Sequence, residues 1–148
     1  MNKDTITEPD KLCNSILETN SNIESVSIIN RHGRAVECKV QGNPDFQATD
    51  QKNEMFFMQC ALTISMGREF DKDFGEIGYV HINRKNLSLF SFPLFDNIIL
   101  VTSKSAISPI SLARKISTII KKYKTQHLTT EKNISQKDLL ENKVQLHV

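Results

Sequence analysis

Ile98-Ile99-Leu100-Val101 is the stretch on which the reading of the fold turns. Three of its four residues are β-branched, stiff at χ1 and suited to an extended backbone. Successive side chains of a strand point to opposite faces, so an uninterrupted aliphatic run needs apolar cover on both. Continued through Thr102, it predicts a strand over residues 98–103 that is central in its sheet. A sheet covered above and below implies a three-layer α/β/α arrangement.

Working outward, strands are expected over 77–83 and 87–92, separated by Arg84-Lys85-Asn86 and joined to the central strand through residues 93–97. Nearer the start, Val26 and Ile28 alternate with Ser25, Ser27 and Ile29, which is the two-residue period of a strand over 23–30. Arg31-His32-Gly33-Arg34 is a tight turn containing glycine, and residues 35–40 return as its hairpin partner. Residues 41–49 form a polar loop containing Gly42-Asn43-Pro44-Asp45.

Helices frame these strands. One begins near Pro9, where the missing N–H costs nothing, carries Leu12, Cys13, Ile16 and Leu17, and stops at Thr19-Asn20-Ser21-Asn22. A longer one, capped by Thr49 or Asp50, runs over 51–70 and is broken at 71–75. Its apolar residues, from Met55 through Phe56, Phe57, Met58, Cys60, Ala61, Leu62 and Ile64 to Met66, occupy more than one stripe. Such a helix is covered on two sides or meets a partner chain. The last helix opens at Ser108-Pro109, with Leu112, Ile116, Ile119, Ile120 and Tyr123 on one side and Arg114, Lys115, Lys121 and Lys122 on the other.

The length of 148 residues fits one domain, with 39% hydrophobic and 24% charged residues and a net charge of +2 that is too small to imply a polyanion binder. Cys13, Cys38 and Cys60 are odd in number and have no CxxC spacing, which argues for reduced thiols in a cytoplasm. Residues 1–10 are polar and mixed in charge, unlike a signal peptide, and no apolar run reaches the roughly 18 residues of a membrane span. The expected organisation is a flexible N-terminus over 1–8, a folded domain over 9–124 and a polar tail over 125–148. Leu139, Leu140, Val144 and Leu146 give that tail at most a short docked helix.

The order helix, hairpin, helix, three-stranded meander, helix resembles the Roadblock/longin-like branch of profilin-like folds. The chain is also similar to a family of small uncharacterised archaeal proteins with that architecture. The residues carrying the resemblance are Lys11-Leu12-Cys13-Asn14-Ser15-Ile16-Leu17, Val26-Ser27-Ile28-Ile29-Asn30-Arg31-His32-Gly33, Gln59-Cys60-Ala61-Leu62-Thr63-Ile64-Ser65-Met66 and Asp71-Lys72-Asp73-Phe74-Gly75. It implies a five-stranded antiparallel sheet in the order 2-1-5-4-3, with the first and last helices on one face and the long helix on the other. It also implies homodimers built by the long helix and third strand, acting as scaffolds or regulators, often of small GTPases. No GTPase-contact motif can be matched residue by residue.

Catalytic chemistry finds little support. His32, His81, His127 and His147 have no His, Cys or carboxylate at ligand spacing. Asp71, Asp73 and Glu76 lack the alternating oxygens and distant bidentate Glu of a calcium loop, and Lys72 interrupts them. Five glycines provide neither a phosphate loop nor a dinucleotide fingerprint. Cys13 and Cys60 read as buried apolar residues and Cys38 as the accessible thiol. No cofactor is expected, and no enzyme. From Lys104 to Lys124 there are six Lys/Arg and no acidic residue, a face that could meet nucleic acid or an anionic membrane but ranks first as a solvated one, because interleaved aromatics are absent.

The resulting expectation is a non-enzymatic interaction domain, a homodimer contributing Met55, Phe56, Met58, Gln59, Leu62, Thr63 and Met66 from the helix. Tyr79 and His81 are the strand candidates. A small-ligand sensor with a pocket between sheet and helix is the alternative, followed by a polyanion binder using Arg114, Lys115, Lys121 and Lys122.

Overall fold

The computed structural model describes residues 6–42, 50–105 and 108–146. The 43–49 part of the polar loop, its Thr49 cap, residues 1–5 and His147 lie outside the described residues. The elements are α1 (Pro9–Leu17), β1 (Ile23–Ile29), β2 (Ala35–Val40), α2 (Asp50–Gly67), α3 (Asp71–Phe74), β3 (Val80–Asn83), β4 (Ser88–Leu94), β5 (Asn97–Ser103) and α4 (Pro109–Leu146). A single 3-10 turn, Arg68–Phe70, joins α2 to α3.

The five strands form one antiparallel sheet in the order β2-β1-β5-β4-β3. β5 is buried along its whole length between β1 and β4. Its alternation divides the core: Ile99 and Val101 join Val26, Ile28, Phe90 and Phe92 beneath α1 and α4, whereas Ile98 and Leu100 join Ile29 and Leu89 beneath α2. Fully burying one such side chain stabilises by roughly 1.5–3 kcal/mol, so β5 serves both cores at once.

α2 buries a narrow stripe. Cys60, Ala61 and Ile64 are 6%, 0% and 1% exposed, and Phe56 and Phe57 pack half-buried beside them. The spacing 57, 60, 61, 64 is one face of a helix. Small residues at its centre let the helix lie close to the sheet. On the other face, α1 packs on β1 and β2 while α4 reaches β4, with Leu112, Ala113, Ile116 and Ile120 inward.

Several boundaries differ from the sequence pattern. β4 continues through Pro93 and Leu94, and only Phe95-Asp96 separates it from β5, with Phe95 at φ 54°. The 71–75 break contains one helical turn, α3, before Gly75 at φ 83° ends it. Ile6, in the stretch read as a flexible N-terminus, is 8% exposed and joins the α1/α4 core. α4 runs on to Leu146, through the stretch read as a polar tail, because that stretch has no Pro or Gly and is rich in Glu, Lys, Gln and Leu. No helix among the described residues is long and apolar enough to cross a membrane.

Candidate functional site

The outward face of α2 carries Met55, Met58, Leu62 and Met66, which are 68%, 40%, 52% and 68% exposed. Gln59 and Thr63 lie between them, also exposed. The six positions recur at intervals of three and four, so they form one band along the helix. Phe56 departs from this set: it is half-buried and packs against the core beneath α2. Past the helix end, Phe70 and Phe74 are also exposed, at 56% and 85%, and their rings stack 6.2 Å apart.

Besides its buried stripe, contacts toward both ends help hold α2 on the sheet. At one end of the sheet, Arg68 donates from Nη2 to the Phe95 carbonyl at 2.6 Å, with Asp96 3.8 Å from Nη1. This fastens the end of α2 to the β4–β5 turn. Near its first half, the β1–β2 turn abuts the helix backbone at Gly33, which sits at φ 76°. The Asn30 side chain accepts from the His32 and Arg34 amides to shape that turn.

β3 is an edge strand, with β4 as its sheet neighbour. Its register with β4 puts His81 opposite Phe90 and Val80 opposite Ser91. Directly opposed residues share a face, so His81 stands on the α1/α4 side, where its ring stacks on Phe90 at 4.6 Å. Tyr79 meets Phe92 at 6.0 Å on the same side. The face that β3 shares with α2 carries Val80, packed against the α2 core, and Ile82, 42% exposed. Tyr79 and His81 therefore do not share the sheet face of the α2 band; Ile82 does. The two-residue period of the strand would have placed it opposite to His81 once the β4 pairing was known. His81 Nε2 is buried without a hydrogen-bond partner among the described residues, so stacking rather than hydrogen bonding holds this ring.

Two of the thiols are held neutral by burial. Burial pushes Cys13 up to about 12 and Cys60 up to about 11, the latter despite a hydrogen bond with Ser91 that pulls the other way. Both stay protonated and poorly nucleophilic near neutral pH. Cys38 is exposed on β2. Among the described residues, no three His, Cys, Asp or Glu side chains converge as metal ligands would. Arg114, Lys115, Lys121 and Lys122 all lie exposed on α4, within about a third of its circumference. Open clefts among the described residues include one between the β1–β2 turn and the first half of α2 and one between α1 and α4.

A Roadblock/LC7 domain from Streptomyces avermitilis superposes with a TM-score of 0.62 at 12% identity, covering 82% of this chain and 99% of that one. The fold is that of Roadblock/LC7 domains. Myxococcus xanthus MglB matches with the same TM-score and identity, covering 84% of this chain and 99% of MglB. Acanthamoeba castellanii profilin IA matches with a TM-score of 0.52 at 11% identity over 79% of this chain and 97% of its own, which places the Roadblock fold here among profilin-like ones. No protein-family model and no curated protein matches the sequence. In this Roadblock fold α2, with its exposed band, covers the sheet face opposite to α1 and α4, and Val80 of edge strand β3 packs against the same core.

Proposed function

We propose that this chain is a non-enzymatic interaction domain that pairs with a second copy of itself through the outward face of α2 and the edge strand β3. The observation that carries the reading is the exposed band of Met55, Met58, Leu62 and Met66 on a helix whose opposite face is already buried on the sheet. Contiguous apolar surface is rare on a monomer, and methionine and aromatic residues are favoured where proteins associate. Met55, Met58, Gln59, Leu62, Thr63 and Met66 would form the centre of the contact, with Ile82 beside them. Phe56 would brace the band from below. Tyr79 and His81 would reach a partner only along the strand edge.

A two-fold pairing suits this arrangement, because the same band meets itself and the open edge of β3 offers unpaired backbone groups to its copy. One solved MglB structure is described as having a tetrameric arrangement, so this fold is compatible with assembly. The pair would act as a scaffold or regulator in the cytoplasm, and a small GTPase is the partner class that the fold resemblance implies. Protonated, buried Cys13 and Cys60 support the non-enzymatic part of the reading.

Light scattering on the eluting protein tests it. The reading expects twice the mass of one chain at micromolar concentration, and half that mass for Leu62→Glu with its helical signal retained. A monomeric wild type overturns it.

A further inference from the structure

We propose that the groove between α1 and the first half of α4 binds a small, soluble, anionic amphiphile: a carboxylate, sulfonate or phosphate head on a short apolar tail. The groove measures about 420 Å³, within the range of cavities that take small molecules. Its floor is apolar. Leu12 is 4% exposed there, and Ile119 packs half-buried against the same core.

The walls are fixed rather than loose. Tyr123 donates its hydroxyl to the Thr7 carbonyl at 2.8 Å, which ties the segment before α1 to α4. Ile6 anchors the same segment in the core. Glu8, at the groove's lip, is held at φ 51° and ψ 55°, a left-handed conformation that crowds the Cβ of any residue but glycine. Non-glycine residues persist in this region only where their surroundings over-determine them, and such positions concentrate at ligand clamps and other functional sites.

The charge at the rim selects the head group. Lys11 lies 2.9 Å from the Glu8 carboxylate and neutralises it. Lys122 lines the groove with no carboxylate ion-paired to it among the described residues. Beyond the groove lining, the first half of α4 also carries Arg114, Lys115, Lys121 and Lys124, with no acidic residue between Pro109 and Lys124. An apolar floor beneath an uncompensated ammonium group favours a ligand with the opposite layout. The groove lies on the sheet face away from the α2 band, so its occupancy does not depend on self-association.

Calorimetric titration of the full chain with decanoate, below its micelle concentration, tests the proposal. One site per chain is expected. Lys122→Glu should weaken it by about tenfold or more, equivalent to losing one charge-assisted contact. Ser15→Phe, at an exposed position lining the groove, should fill the space and abolish binding, with an unchanged melting temperature showing that the fold survives. Decyltrimethylammonium should bind far more weakly than decanoate. Absence of decanoate binding, equal binding of the cationic analogue, or decanoate binding untouched by Lys122→Glu would each overturn the proposal. Binding to phosphatidylglycerol vesicles without any decanoate titration would overturn it in favour of a membrane surface.

Discussion

Replacing Gly33 with alanine probes how the β1–β2 turn is seated against α2. At this position φ is +76°, and an added Cβ would lie 2.9 Å from both the Cα and the amide nitrogen of Met58, and 3.3 Å from the Phe57 carbonyl carbon. The first cost is conformational, about 1–2 kcal/mol for an L-residue in the left-handed region. Alanine offsets part of it, about 0.4–1 kcal/mol, by restricting the unfolded chain. The second cost is steric. The opposing atoms are helix backbone and cannot swing aside as a side chain could, so overpacking adds about 1–3 kcal/mol. The sum is a loss of roughly 2–4 kcal/mol, which for a domain of this size lowers Tm by roughly 6–12 °C. Gly42 is the control. It too has positive φ, +66°, but no described atom lies within 4 Å of an added Cβ, so Gly42→Ala should lose only the conformational part. Urea denaturation monitored by circular dichroism reads both variants. If Gly33→Ala loses no more than Gly42→Ala, the turn does not bear on the α2 backbone and the reasoning fails.

The two faces of α2 should respond differently to truncation. Ile64→Ala, at 1% exposure, should cost about 2–5 kcal/mol in urea denaturation of an isolated protomer, whereas Met55→Ala at 68% exposure should stay within about 0.5 kcal/mol. Equal losses would mean that the helix is rotated from the orientation described. Brief alkylation of the native protein should label Cys38 alone, with Cys13 and Cys60 reacting only after denaturation; mass spectrometry of the peptides distinguishes them. The same two thiols set an alkaline limit. Their native pKa values, about 12 and about 11, lie above the ordinary 9.0, so above pH 9 the unfolded chain releases protons that the native chain retains. Stability contributed by keeping these thiols neutral is complete below pH 9 and is lost as pH rises toward 11–12. Urea midpoints measured across this range should fall less steeply in Cys13→Ala/Cys60→Ala than in the wild type.

Much of this architecture is legible in the residue order because the signals are local and redundant. The aliphatic run at Ile98–Val101 needs cover on both faces wherever it sits, and the Asn30–Arg34 turn carries its own glycine and Asx hydrogen bonds. The double stripe on α2 likewise points outward as well as inward without any tertiary information. Which β3 residues share the α2 face was not legible. Periodicity says that Tyr79 and His81 share a face, but only the pairing of His81 with Phe90 says which one. The placement of Phe56 has the same origin: a helix with apolar residues at 55, 56, 57 and 58 can be rotated several ways until Ile64 and Ala61 are known to be at 1% and 0% exposure. Ile6 gives no periodic signal at all, since a single apolar residue before a proline-started helix docks through tertiary contacts alone. The α1/α4 groove is of that kind too, built by residues more than a hundred positions apart, as the Tyr123–Thr7 hydrogen bond shows.

The outward band of α2 is the proposed self-association surface, and sedimentation equilibrium of the wild type beside Leu62→Glu tests it most directly. Leu62 is half exposed and lies away from the buried stripe, so the charge should leave the protomer folded. The expected result is a wild-type mass twice that of one chain and a variant mass equal to one chain, with matching circular dichroism spectra. A wild type that sediments as a monomer at micromolar concentration, or a folded Leu62→Glu that remains dimeric, would contradict it.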